Sequence, residues 1–251
     1  MPHYFNLLDR RNNNYYITKR VPFSPIGAIP ENMVETTFNF AYQMTFGRSG
    51  EHRAHRTGGT HQRRTGEIFA NTFQGKLAEF ALFLVLTNNG FNVSEPDLGV
   101  FALGEWDSED LIIDDRTLSI KSTKSFGNLL LLEERDWDND ANYLPNGKGY
   151  DFTFLIRMNP YCEDLMKRNR FLYSDNIDED ILREVILSEQ WTFDIPGYVT
   201  RADLVHIINE CYTIPRGAML NGKTQMDASN YYIQAGDMRN ISNFINDLEV
   251  E

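Results

Sequence analysis

Apolar and polar residues change their period several times along the chain, and each change marks an expected element. The strongest signal is TFQGKLAEFALFLVLT at 72–87, where apolar side chains recur at helical spacing on both sides and Asn88-Asn89-Gly90 supplies a stop. Before it, a stretch punctuated by Pro22, Pro25 and Pro30 leads into ENMVETTFNFAYQM, which reads as a short helix. After it, FNVSEPD is extended, and DLII and LSIK flank the polar DDRT with the alternation of a β-hairpin. A polar excursion runs to about residue 149 and gives way to the strand YDFTFLIRM at 150–158. Helical spacing returns at 178–188 and 201–210. YYIQA then forms a last strand, and a short helix follows Gly236-Asp237, whose Asp is expected to cap it. This order predicts an α/β protein with a mixed central β-sheet flanked by helices.

The 251 residues suffice for one good core and hold no internal repeat, so a single domain over 1–251 is expected. Within it, 1–65 reads as an arm and a basic loop, 66–160 as the core, and 161–251 as an extension of helix and strand. An apolar fraction of 41% with 13% aromatics excludes a largely disordered chain. No stretch approaches the roughly 18 apolar residues of a membrane span, and MPHYFNLLDRRNNNYY lacks the apolar core of a secretory signal. The expectation is a soluble, cytoplasmic protein with no membrane partner. Cys162 and Cys211 are too few for a disulfide framework or a cysteine zinc site and are read as structural.

The net charge of −12 argues against a chain that binds polyanions all over its surface, but the charge is unevenly spread. Between Arg48 and Arg64 lie Arg48, Arg53, Arg56, Arg63 and Arg64 with His52, His55 and His61 against one acid, Glu51. The acids concentrate later, in EERDWDND (133–140) and DNIDED (175–180). Gly47, Gly50, Gly58 and Gly59 make the basic segment an exposed loop whose backbone approaches a ligand closely. Arg suits bidentate contacts with phosphate or a guanine edge, so Arg48, Arg53, His55, Arg56, Arg63 and Arg64 are the candidate contacts to double-stranded DNA. The bland reading of this loop is a solvated charge run. A zinc site on His52 and His55 lacks a Cys or acid to complete it.

The hairpin carries the chemistry. A turn centred on Asp115-Arg116 pairs Ile113 with Leu118, Leu111 with Ile120 and Asp110 with Lys121. Asp110 and Lys121 then share one face and Leu111 and Ile120 the other, so the two charged side chains serve one site or form a plain salt bridge. On the helix, Glu79 is the single charge among the ten residues of LAEFALFLVL. It lies with Gly75, Leu82, Phe83 and Leu86, opposite a stripe of Phe73, Leu77, Phe80, Ala81 and Leu84, so both sides look buried. A carboxylate there needs a cation, a donor, a metal or a proton, unless it points to solvent near the helix start. Asp151 orients the site or ends a turn, Trp106, Trp137 and Trp191 are core aromatics, and His206 is an ordinary helical residue.

An acid in a helix, an Asp opening a strand, a short turn and a strand ending in x-x-Lys resemble the restriction-endonuclease-like nucleases, named for their PD-(D/E)xK motif. The likeness covers about residues 66–160, with YDFTFLIR as the strand expected after the Lys strand. It implies a restriction-endonuclease-like core with Asp110, Lys121 and Glu79 in catalysis. Two departures stand out: Ser119 occupies a position where the family usually has an acid, and Pro96-Asp97 competes with Asp110 for the first motif position. Oxygen ligands from Asp110 and Glu79 suit Mg²⁺, Lys121 would stabilise charge in the transition state, and Ser119 would hydrogen-bond a metal-bound water. The resemblance thus implies a Mg²⁺-dependent, sequence-specific DNA endonuclease of Type II kind acting as a homodimer. Alternatives are a repair, phage-defence or structure-selective nuclease, and a catalytically inactive DNA-binding or assembly protein.

Overall fold

The computed structural model describes residues 3–47, 63–99 and 110–249. The arm forms β1 (Asp9–Arg11), β2 (Asn14–Tyr16) and β3 (Gly27–Ala28), then come helices α1 (Glu31–Thr45) and α2 (Thr65–Asn88). The hairpin β4 (Leu111–Ile113) and β5 (Arg116–Lys124) follows, with β6 (Leu129–Glu133), a ribbon of β7 (Asn142–Tyr143) and β8 (Lys148–Gly149), and β9 (Phe152–Asn159). Next are α3 (Cys162–Arg168), α4 (Glu179–Leu187), β10 (Thr192–Thr200) and α5 (Arg201–Asn209). The chain ends through β11 (Thr213–Ile214), β12 (Met219–Leu220), β13 (Thr224–Gln225), β14 (Asn230–Gln234) and α6 (Ile241–Glu249). The expected α/β class and mixed central sheet are therefore present. No helix of the described residues is long and apolar enough to cross a membrane.

The central sheet has the order β3-β10-β9-β5-β4, in which β5 and β9 run parallel and the other neighbours antiparallel. Side-chain alternation gives it two faces. Leu111, Ile113, Leu118, Ile120, Phe154, Ile156 and Met158 stand on one face and pack in one cluster with Phe69, Phe73, Leu77 and Leu82 of α2 and Phe244 of α6. Leu155 and Val199 stand on the other, against Leu130 and Leu132 of β6, Ile233 of β14, and Leu204 and Ile207 of α5. Two smaller sheets, β11-β14-β6 and β1-β2-β12-β13, extend this second layer.

Helix α2 begins seven residues before its expected start, because its first turn is held by tertiary contacts. Glu67 accepts the Arg64 amide, and Asp175, distant in sequence, accepts the Thr65 amide and hydroxyl at 3.2 Å each. Gly66 lets that turn press on the chain beyond α3, where a Cβ would meet the Phe171 carbonyl at 2.1 Å. Strand β10 is hidden in the sequence by Pro196-Gly197, which reads as a turn. Its ladder to β9 instead carries a bulge between Asp194 and Gly197, a place where Pro is tolerated inside a sheet. The expected cap of the last helix is also different: Asn240 accepts the Ser242 amide, while Asp237 accepts the backbone and side-chain amides of Asn6.

At the centre of the second layer, Arg157 of β9 faces Asp194 of β10 in direct register. The guanidinium is fully buried and donates Nε to Asp194 Oδ1 at 2.7 Å and Nη2 to Oδ2 at 2.5 Å, with further bonds to the carbonyls of Val21, Pro22 and Gly127. Removing one partner strands the other charge in the interior, so Asp194→Ala is expected to lower unfolding stability by about 3–5 kcal/mol in urea titrations. A loss below about 1 kcal/mol would show that the pair is not the anchor it looks to be.

Asp203 of α5 pairs with Arg239 through two bonds of 2.7 and 2.8 Å and accepts the Thr200 amide. Burial pushes its carboxyl up, but the guanidinium and the Thr200 donors outweigh burial and hold it below the ordinary value. A depressed folded value means stabilisation that is complete above about pH 4 and lost as pH falls through the folded value. The stability difference between the wild type and Arg239→Ala should be full at pH 6 and shrink in acid, as pH falls through the depressed folded value. A difference that stays constant with pH contradicts the assignment.

Candidate active site

The hairpin turn falls on Asp114-Asp115, with φ of 47° and 63°, and not on Asp115-Arg116. Positive φ at both central residues is the two-residue turn whose twist suits a hairpin, and Asp tolerates that region. The register moves by two: Leu111 pairs with Leu118, Ile112 with Thr117 and Ile113 with Arg116. A shift of two keeps every side chain on its face, so Leu111, Leu118 and Ile120 still share the core side. Asp110 is now nearest Ser119, and Lys121 lies further along, diagonal rather than opposite.

Asp110 lies just outside β4, where the paired ladder stops. Its amide donates to the Leu118 carbonyl, and its carboxylate Oδ2 accepts the Ile120 amide at 2.5 Å. That amide points along the sheet toward the outer strand, so the carboxylate lies in the line of the ladder, replacing the carbonyl that a longer β4 would offer. It is thereby fixed beside the residue that precedes Lys121. Among the described residues the two charged groups form no ion pair, so the plain salt bridge is not what joins them. Lys121 stands half-buried on the face away from α2, its ammonium 6.0 Å from the ring centre of Tyr143. Tyr143 packs in turn on Trp137 and Tyr150.

Ser119, on the same face as Lys121, is 1% exposed, and Thr153, its partner across the parallel β5–β9 ladder, is wholly buried. Neither hydroxyl finds a hydrogen-bond partner. Thr37 Oγ1 and Gln74 Nε2 are buried without a partner as well, so the two hydroxyls are a feature of the β5–β9 ladder and do not by themselves mark a site. Thr153 could not be found from sequence, since parallel register leaves no local signal. Asp151 ties the starts of the same two strands: its carboxylate accepts the Thr117 amide and hydroxyl at 2.8 and 2.9 Å. It therefore positions β5 against β9.

Glu79 has a different neighbourhood. It is buried, as the helical pattern implies, and Lys76 Nζ lies 2.6 Å from its Oε2. Lys76 also sits 5.5 Å from the ring centre of Phe40, so the pair lies near the seam of α1 and α2. The i,i+3 spacing was a legible signal for this partner. Helix α2 covers the face of the sheet opposite to Ser119 and Lys121. The competing Asp97 lies in a loop, its Oδ1 accepting the Gly99 amide.

Of the candidate DNA contacts, Arg48, Arg53, His55 and Arg56 lie outside the described residues, as does Trp106. Arg63 and Arg64 lead into α2, and Arg64 Nη1 is 2.7 Å from Asp175 Oδ2 in an exposed pair. Trp137 and Trp191 are core residues, and His206 is an exposed residue of α5, as expected.

Among the described residues no three His, Cys, Asp or Glu side chains converge as a metal group. Mg²⁺ is commonly held through one or two carboxylates, its waters and a substrate phosphate. Asp110 suits that mode, since its Oδ1 accepts nothing from the described residues and the carboxylate sits at the sheet edge. Glu79 is instead already matched by an ammonium. No known family model, curated protein or solved structure matches the chain.

If Lys76 neutralises Glu79, Lys76→Ala should lower stability by roughly 3 kcal/mol, and Lys76→Ala with Glu79→Leu should recover most of the loss. Chemical denaturation of both variants checks this. An undiminished single mutant would show that another group carries the Glu79 charge.

Proposed function

We propose that the chain is a DNA endonuclease with a restriction-endonuclease-like core, hydrolysing phosphodiester bonds at the edge formed by Asp110, Ser119 and Lys121. The observation that carries this reading is the placement of a fixed carboxylate beside a lysine with which it forms no ion pair. The two charges stand on one face of the hairpin, where a phosphate would meet both. The order of helix, hairpin and parallel strand agrees with the resemblance over residues 66–160.

In this proposal the Asp110 carboxylate is pre-oriented by the Ile120 amide and does not have to be ordered when substrate arrives. Lys121 faces the phosphate and stabilises the negative charge that grows on its oxygens as water attacks in line. The Tyr143 ring faces the Lys121 ammonium, an attraction that favours this position of the charge. Mg²⁺, held by Asp110, would supply Lewis-acid charge and lower the pKa of the attacking water. Glu79 is assigned to the ion pair with Lys76, so it shapes the helix rather than the reaction.

Duplex DNA is gripped by the basic segment ending at Arg63 and Arg64. The Arg64–Asp175 pair is exposed, and such pairs contribute only about 0.2–1 kcal/mol, so phosphate can replace Asp175 at little cost. Cutting both strands of a two-fold site requires two copies of the site, so the proposal includes a homodimer on DNA. The second reading, a DNA-binding module without catalysis, is favoured by one observation: the side chain in the usual acid position is a buried Ser119.

Unmodified phage and plasmid DNAs incubated with Mg²⁺ or EDTA provide the test. Discrete Mg²⁺-dependent fragments are expected, reduced at least 100-fold in rate in Asp110→Asn and Lys121→Ala and within about threefold of wild type in Glu79→Gln. Loss of cutting in a folded Glu79→Gln would return Glu79 to the metal. DNA bound but never cut, with any divalent metal, would establish the binding module instead.

A further inference from the structure

We propose that a groove beside the Lys121 face receives an unpaired nucleotide of the bound DNA strand, its base against Phe126 and its phosphate between Arg20 and Lys223. The inference rests on the nucleic-acid reading above. Phe126 sits in the turn joining β5 to β6 and is 71% exposed, with Leu131 also open to solvent. Phe126 and Leu131 line one groove, so their exposure makes a shared apolar wall and is not that of a lone surface residue. The groove holds about 360 Å³ and is walled by Ile17, Thr123, Phe126 and Leu220, with Arg20 and Lys223 at its rim. That volume lies within the range of small-ligand sites and admits one base, not a duplex.

Charge selects the occupant. No carboxylate lines the groove although the chain as a whole carries −12, whereas two cations do. Arg20 is set at the rim by donating Nη2 to Asn221 Oδ1 at 3.1 Å. An apolar aromatic wall with two cations and no acid suits a base joined to phosphate, because every base has a face that stacks and every linkage a negative charge. Position ties the groove to the candidate active site. Thr123 follows Lys121 by two residues on the same face of β5, about 7 Å along the strand. A strand whose phosphate rests at Lys121 would therefore bring a neighbouring nucleotide to the groove.

The test measures binding in EDTA, so that cleavage plays no part and its failure leaves the result intact. A fluorescein-labelled single-stranded DNA dodecamer is titrated with wild type, Phe126→Ala, Phe126→Tyr, and Arg20→Ala with Lys223→Ala, followed by anisotropy. Phe126→Ala should weaken binding roughly 5- to 150-fold, and Phe126→Tyr should retain wild-type affinity. The double variant should flatten the dependence of log affinity on log salt by about 0.7, the value for one single-strand phosphate contact. Unchanged affinity in Phe126→Ala overturns the proposal. So does competition by free mononucleotide at the same concentration as unlabelled dodecamer, which would make the groove a site for free nucleotide.

Discussion

The buried pair of Arg157 and Asp194 is the constraint on which the rest of the structure depends. A guanidinium has five donors and no tolerance for an apolar interior, so folding must bring an acceptor to each side of it. Asp194 supplies two, and the remainder come from the carbonyls of Val21, Pro22 and Gly127. Asp194 itself also accepts the Ser24 amide. One ion pair thereby fixes the register of two central strands next to a bulge, lays the N-terminal arm across them, and pins the turn that follows β5. A hydrophobic pair of equal volume could fill the same space but would hold neither the arm nor the turn.

The arm is fastened elsewhere by the same device, a buried polar side chain that stands in for a missing strand. Gln234 accepts the amides of Thr18 and Lys19 and donates to the Asn6 carbonyl, and Asn128 accepts the Val21 amide. Asp110 does for the outer strand what Gln234 does for the arm. In each case an irregular segment satisfies its backbone without a ladder, which lets it lie against the sheet and still follow a path that regular pairing would forbid.

Where sequence reading succeeded, the signal was local and periodic. The two-residue alternation of DLII and LSIK gave the hairpin, and the apolar density of 72–87 gave the heart of α2. The faces of the hairpin were legible too, because an error of two residues in register changes which residues are opposite but not which share a side. The turn was misplaced because Asp115-Arg116 and Asp114-Asp115 are both polar, and only the positive φ at two successive positions separates them. The other differences come from contacts distant in sequence. Asp175 extends α2 by a cap 110 residues away, and the bulge of β10 converts Pro196-Gly197 from a turn signal into strand interior. The neutralising role of Lys76 was within reach, three residues from Glu79, but an apolar run draws attention to the acid it contains and away from the base at its boundary. The basic segment from Arg48 to Arg56 lies outside the described residues, so its part in the site rests on composition.

Several charges of this chain are closely matched, and the edge at Lys121 differs from them. Arg157 has Asp194, Arg239 has Asp203, and Lys76 has Glu79, each within 2.8 Å. Lys124, three residues beyond Lys121 on the same strand, has Asp164 at 3.2 Å. Asp110 is held instead by a backbone amide, with no ion pair to Lys121 on the same face. The Ser119 and Thr153 hydroxyls nearby are buried without a partner, as is that of Thr37 on α1. In the proposed function the substrate lies at this edge because the Asp110 carboxylate and Lys121 share one face there, next to a groove lined by two cations and no acid.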